Sequence, residues 1–105
     1  MDVTSQSDNG TTTILLRGRF DFTAHRLFKQ TYEVALADKN VREVVLNMSG
    51  VEYLDSSALG MLLILRDRAG EASKSVALGD CSSSVKEVLR VANFDKLFTL
   101  KPVNS

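Results

Sequence analysis

The chain has 105 residues, of which 44% are hydrophobic and 25% are charged, an ordinary balance for one globular domain. Its 13 Lys and Arg equal its 13 Asp and Glu, and a net charge of zero gives no reason to expect nucleic acid or an anionic membrane as a partner. The single cysteine, Cys81, excludes an internal disulfide, and one cysteine with one histidine cannot supply the usual zinc-ligand sets. We therefore expect no metal and no tightly held cofactor.

We expect a reduced, cytoplasmic setting, because neither the first residues nor the longest apolar run has the character of a targeting or membrane segment. The polar N-terminus, MDVTSQSDNG, lacks the apolar core of a signal peptide, and the longest apolar run, residues 61–65, is too short to span a bilayer. No linker or repeat divides the sequence, so we expect residues 1–105 to form a single domain.

The first forty residues predict a hairpin and a helix. The turn signal Asp8-Asn9-Gly10 separates a short strand near Val3 from a β-branched strand over residues 11–18. Thr23 is predicted to cap a first helix that ends near residues 38–40. The apolar stripe of this helix has helical spacing and consists of Leu27, Phe28, Thr31, Val34 and Ala35.

The middle of the chain predicts a buried strand and an apolar helix. Residues 42–48 are rich in β-branched side chains, which favours a buried strand, and residues 49–53 are predicted to form a loop. A helix is then expected from Ser56 to about Arg68, with Gly70 as its stop.

The last third predicts a strand, a helix and an edge strand. Residues 74–80 are a short apolar run typical of a buried strand. A third helix is expected to start in the serines 82–84, with Ser84 and Glu87 as a capping box, and residues 96–103 predict a turn and an edge strand. The alternation of strands and helices predicts an α/β fold with a mixed sheet of about four to five strands, some of them parallel.

The run Asp55-Ser56-Ser57 lies where a strand ends and a helix begins, which is where function concentrates in such sheets. A structural interpretation is sufficient. Ser56 caps the helix, and the negative charge of Asp55 interacts favourably with the positive end of the helix dipole. A functional interpretation uses the same physics, because the free N–H groups of a helix start also accommodate a phosphate on Ser56. The following residues are apolar nearly all round, which indicates deep burial or, less favoured, a docking surface beside Ser56.

The segment YLDSSALGMLLIL resembles the signature of the STAS family, specifically the small bacterial anti-sigma factor antagonists. LRGRFDFTA, VREVVLNMSGVEYLDSS and CSSSVKEVLRVANFDKLF resemble further segments of that family in the same order, so the resemblance covers most of the chain from about Leu15. It implies the STAS fold, with helices mainly on one face of the sheet. Two departures, Ala58 for a glycine and Ser83 for a proline, remove no functional group.

The resemblance also implies the site. The serine after the aspartate is the family's phosphoacceptor, which is Ser56 here, with Ser57 as second choice and Asp55 and Asp21 beside it. Asp21 has an equally favoured structural interpretation, because acids stabilise helix starts. The predicted partner-binding face is the exposed part of the helix, formed by Ala58, Met61 and Leu62.

The function implied by the resemblance is a partner switch rather than an enzyme. In such a switch the unphosphorylated chain binds an anti-sigma factor that is also a serine kinase, the kinase uses ATP to modify the chain and weaken the complex, and a PP2C-type phosphatase resets it. The output is transcription through a sigma factor, or control of biofilm, motility or secretion.

Two rival functions remain open. One is a hydrolase with Ser56 or Ser57, His25 and Asp21 as a triad, but the elbow motif that such a nucleophile needs is absent. The other is a STAS scaffold, or an accessory subunit of a lipid-transport system, that works without phosphorylation.

Overall fold

The computed structural model describes residues 1–103. Five strands, three α-helices and two 3-10 turns follow one another along the chain: β1 (Asp2–Asp8), β2 (Thr11–Phe20), the turn Phe22–Ala24, α1 (His25–Ala37), β3 (Glu43–Leu54), α2 (Ser56–Glu71), β4 (Ser75–Gly79), α3 (Ser83–Val91), the turn Phe94–Lys96 and β5 (Thr99–Lys101). Every helix and strand expected from the sequence is present, including the short first strand.

The strands form one mixed sheet in the order β1-β2-β3-β4-β5. β1 and β2 are an antiparallel hairpin, whereas β2 to β5 are parallel to one another. The hairpin turn contains Asn9 and Gly10, both with positive φ (50° and 83°), a conformation that Asn-Gly adopts readily. The predicted α/β fold with a mixed, largely parallel sheet is confirmed.

The core lies between one face of the sheet and all three helices. Alternate residues of β2 and β3 point into it, and the helices contribute their buried stripes to the same cluster. Its fully buried side chains of largest volume are Phe20, Phe28, Ile14, Leu16, Leu46, Met48, Leu62, Leu65, Leu78, Leu89 and Val44.

β3 is longer than predicted, and the expected loop over residues 49–53 is wrong. The strand continues to Leu54 because it stays paired with β2, Val51 opposite Gly18 and Leu54 opposite Phe20. The register shifts beside Gly50, where a Cβ atom would lie 3.1 Å from the carbonyl oxygen of Leu16. A polar, glycine-containing segment thus remains a strand because its neighbour supplies the hydrogen bonds.

Two of the predicted helix starts were assigned to the wrong residue. Thr23 does not cap the first helix: the Asp21 side chain caps the preceding 3-10 turn, and α1 begins at His25 without a side-chain cap. The capping box of Ser84 and Glu87 is also absent, because Ser82 caps α3 instead.

The end of α2 and the face of α1 also differ from prediction. Gly70 lies inside α2, which runs to Glu71. In α1, Leu27 and Val34 are exposed, and Tyr32 is buried in their place. The Tyr32 ring contacts Phe28 edge to face, and Phe28 contacts Phe20 of the sheet in the same way. The buried face of α1 is therefore set by packing against the sheet and not by the number of apolar residues on each side of the helix.

Candidate functional site

The ends of β2 and β3 lie side by side and bring two aspartates to one corner. Phe20 pairs with Leu54, and the Asp55 N–H donates a hydrogen bond to the Phe20 carbonyl at 3.4 Å. Asp21 and Asp55 are therefore the first residues after two adjacent parallel strands, each directly before a helical segment. This strand pairing brings Asp21 near Asp55, the residue that precedes Ser56.

Asp55, and not Ser56, caps α2. Its Oδ1 accepts a hydrogen bond from the Ala58 N–H at 3.0 Å, and its extended backbone (φ −114°, ψ −173°) is that of an N-cap residue. The prediction that Ser56 is the cap is therefore wrong. Since the aspartate does the capping, the serine hydroxyl is not needed for it.

The hydroxyl groups of Ser56 and Ser57 are both available for chemistry. Both residues are exposed and occupy the first turn of α2. Within residues 1–103, neither hydroxyl forms a hydrogen bond with another protein group. The N–H groups of the first helical turn have no acceptor inside the helix, and they and the helix dipole attract an anion. This corner can accept a phosphate without displacing a contact of either hydroxyl.

Asp21 is held in place by its own turn. Its Oδ1 accepts hydrogen bonds from the backbone N–H of Thr23, at 3.0 Å, and from the Thr23 hydroxyl. The hydroxyl hydrogen bond is the main reason that the pKa of Asp21 is lowered, with smaller contributions from the backbone and from Arg19. The Nε atom of Arg19 lies 3.9 Å from Asp21 Oδ2, and the guanidinium carbon of Arg19 lies 4.3 Å from the centre of the Tyr53 ring. Asp21 is thus held by the turn that it caps, and its lowered pKa favours the carboxylate form.

The predicted docking face of Ala58, Met61 and Leu62 is wrong. These residues are 0%, 6% and 0% exposed and belong to the core. The large apolar residues of α2 that are exposed are Leu63 and Ile64, and Leu59 is half-buried. Helical spacing from Ser56 could have predicted the exposed side of α2. If Ser56 faces solvent, residues 60, 63 and 67 lie on the same side of the helix.

Among residues 1–103, no hydrogen bond joins the serine, histidine and aspartate of the rival triad. Asp21 is bonded to Thr23 rather than to His25, and His25 lies in the cleft between α1 and α2 with Ile64. Among the described residues, no three His, Cys, Asp or Glu side chains are grouped as metal ligands would be. No helix within residues 1–103 has both the length and the apolar character that crossing a membrane requires.

Comparison with known proteins identifies the family. A family model described as "Mlab, STAS domain" matches residues 3–101. The chain is a STAS-domain protein. A STAS-domain containing protein of Pseudomonas aeruginosa (strain UCBPP-PA14) is 44% identical over 95 residues, which span 90% of this chain and 91% of the relative.

Solved structures share the STAS fold of this chain. The anti-sigma factor antagonist SpoIIAA in its unphosphorylated form superposes with a TM-score of 0.82 at 17% identity, covering 98% of this chain and 90% of SpoIIAA. A putative anti-sigma factor antagonist from Thermotoga maritima gives a TM-score of 0.85 at 19% identity, covering 96% and 86% of the two chains. At these identities the likeness concerns the fold of the STAS domain.

Proposed function

We propose that this STAS domain, as a single domain spanning residues 1–105, is an anti-sigma factor antagonist or a closely related regulator in a phosphorylation-controlled partner switch. The unphosphorylated form binds an anti-sigma factor that is also a serine kinase. Phosphorylation of Ser56 weakens that complex, and a PP2C-type phosphatase restores binding. ATP and the catalytic groups belong to the kinase, and the exchange takes place in the cytoplasm.

One observation carries the proposal: an exposed serine hydroxyl without a hydrogen-bond partner among the described residues stands at the start of α2, beside a separate residue that caps the helix. Because Asp55 provides the cap, modification of Ser56 leaves the cap in place. The similar antagonist SpoIIAA is known in an unphosphorylated and a phosphorylated form, which supports assigning the same chemistry to this position.

The energetics favour a switch that acts on the partner rather than on the fold. A phosphoserine carries a charge of about −1.5 to −2 and three acceptor oxygens. On this exposed corner the charge stays hydrated and close to the free N–H groups of α2, so the fold tolerates it. A partner surface that covers the corner must instead desolvate the charge, and each 1.4 kcal/mol of that penalty lowers affinity about tenfold.

Mass spectrometry after incubation with ATP and candidate serine kinases of the same genome tests the proposal. The expected result is a modified peptide containing Ser56, absent from Ser56→Ala and retained in Ser57→Ala. Ser56→Ala should bind the kinase like wild type, and Ser56→Asp should bind at least about tenfold more weakly. Modification elsewhere with Ser56 untouched, or equal binding by both variants, contradicts the switch.

A second candidate function is an accessory subunit of a lipid-transport system or a scaffold without phosphorylation. The description of the matching family model, "Mlab, STAS domain", favours this alternative. It predicts that Ser56→Ala and Ser56→Asp bind the partner equally and that no kinase modifies the chain. The same pair of variants therefore separates the two functions.

A further inference from the structure

The helix-free face of the sheet carries a small apolar cluster of its own. Val45 of β3 and Ala77 of β4 are 3% and 1% exposed, yet neither belongs to the main core cluster. They alternate along their strands with Val44, Leu46 and Leu78, which do belong to it, so Val45 and Ala77 point away from the helices. The two are neighbours, because they pair in the register of β3 and β4. Since the three helices pack on the other face, another segment of the chain must cover them.

The cover is the segment of residues 99–103, here called the strap, which consists of β5 and the two residues after it. A Cβ atom added at Gly79 would overlap Val103 Cγ2 and lie 3.4 Å from Val45 Cγ1, so the Val103 side chain packs over Gly79 beside Val45. Two hydrogen bonds fix the strap at Asp80. The Val103 N–H donates to Asp80 Oδ1 at 3.2 Å, and the Asp80 N–H donates to a backbone carbonyl of the strap at 3.2 Å.

An ion pair ties the strap across the sheet. Lys101 Nζ lies 3.0 Å and 3.1 Å from the two carboxylate oxygens of Glu43, which belongs to the strand beyond β4. Lys101 pairs with Gly79, and Glu43 pairs with Ser75, so the connection between the two charges crosses β4 at Ala77, midway between these positions. The aliphatic stem of Lys101 therefore covers Ala77 while its charged end reaches Glu43.

The strap is held by few contacts for a segment that covers buried residues. β5 has three residues, lies at the edge of the sheet and pairs with Ala77–Gly79 alone among the described residues. The Lys101 and Glu43 side chains are 33% and 27% exposed, and partly exposed ion pairs contribute little stability. Short edge segments open more readily than the rest of a domain. Release of the strap would open the apolar cluster and the adjoining edge of β4 to another strand.

We propose that the strap is displaceable and that an extended segment of a partner protein takes its place on β4. The strap itself defines the chemistry of that segment: a basic residue that reaches Glu43 and, two positions later, a branched apolar residue that packs over Gly79. Strand addition at a sheet edge supplies main-chain hydrogen bonds, and side-chain contacts on one face supply specificity. The site lies on the helix-free face and does not involve Ser56, so the inference goes beyond the proposed function and does not depend on it.

A charge-reversed strap and a peptide copy of the strap test the inference. Lys101→Glu places a carboxylate opposite Glu43 and should release the strap, so a capped peptide TLKPV, with the sequence of residues 99–103, should bind in its place. NMR titration of the isotopically labelled chain should show shifts of Val45 and Ala77, and an affinity at least about tenfold higher for Lys101→Glu than for wild type, whose own strap competes. The peptide TLEPV should not bind this variant, because its glutamate meets Glu43.

The matched control is E43K/K101E, which restores the ion pair with reversed signs and should keep the strap closed. TLKPV should bind this double variant no more tightly than wild type, whereas E43K alone should bind TLEPV in preference to TLKPV. Val103→Gly is a second, uncharged variant that opens the space over Gly79, and it should also bind TLKPV more tightly than wild type. Circular dichroism checks that each variant is folded.

The inference is overturned if TLEPV binds Lys101→Glu as tightly as TLKPV does, if TLKPV binds neither Lys101→Glu nor Val103→Gly, or if E43K/K101E binds TLKPV as tightly as Lys101→Glu. A wild-type dimer that Lys101→Glu abolishes would show that two copies exchange straps, which contradicts a partner segment. Every one of these measurements uses the unphosphorylated chain. A failed kinase experiment on Ser56 therefore leaves this inference standing, and a failed peptide experiment leaves the proposed switch standing.

Discussion

Removing the carboxylate of Asp55 should destabilise the protein, whereas removing the hydroxyl of Ser56 should not. Asp55 satisfies the Ala58 N–H with a 3.0 Å hydrogen bond at the start of α2, and replacing such a cap by alanine typically costs about 1 kcal/mol, within a range of about 0.5 to 2. The exposed Ser56 makes no side-chain hydrogen bond within residues 1–103, so Ser56→Ala should change stability by less than about 0.5 kcal/mol.

Thermal and urea unfolding followed by circular dichroism measure both effects. A loss of 1 kcal/mol corresponds to a fall in Tm of roughly 4 to 8 °C for a domain near this size. Asp55→Asn is the matched control, because asparagine caps about as well as aspartate and removes only the charge. The assignment of the cap is refuted if Ser56→Ala lowers Tm as much as Asp55→Ala. It is also refuted if Asp55→Ala unfolds like wild type.

Other substitutions and pH changes test the surrounding structure. Leu62→Ala should lower the free energy of unfolding by about 2 to 5 kcal/mol because Leu62 is fully buried, and the exposed Leu63→Ala serves as its control in urea unfolding; equal losses would contradict the burial pattern of α2. Gly50→Ala should cost roughly 1 to 3 kcal/mol, because the added Cβ meets the neighbouring strand at 3.1 Å, and unchanged stability would show that the strands do not approach so closely. Burial raises the pKa of the Cys81 thiol, so alkylation by iodoacetamide should be slower than for a free cysteine at pH 8 and accelerate at higher pH; reaction at the free-cysteine rate would contradict this. The pKa of Asp21 lies below its ordinary value of 3.8, so its stabilising effect should be complete above that pH and disappear as the pH falls through the lowered pKa; a difference in stability between wild type and Asp21→Ala that persists in stronger acid would contradict this.

The sequence by itself determined the elements of the protein and the location of its candidate site. Local patterns are sufficient for this: Asn9-Gly10 favours a tight hairpin turn, β-branched runs favour strands, and Asp55-Ser56-Ser57 directly before an apolar run marks a helix start. These signals depend on near neighbours in the chain, so they are readable without the tertiary structure.

Only the tertiary structure decided which residues face the core, which residue caps each helix and which charges meet. The segment after Gly50 is a strand because β2 pairs with it, and Ala58, Met61 and Leu62 are buried because α2 lies on the sheet in one rotational setting. The sequence of an almost uniformly apolar helix contains little information about its rotation relative to the sheet. Side chains distant in sequence, such as Glu33 and Arg68, come into contact only because their helices pack together. Burial and long-range pairing depend on the whole fold, which is why local patterns cannot specify them.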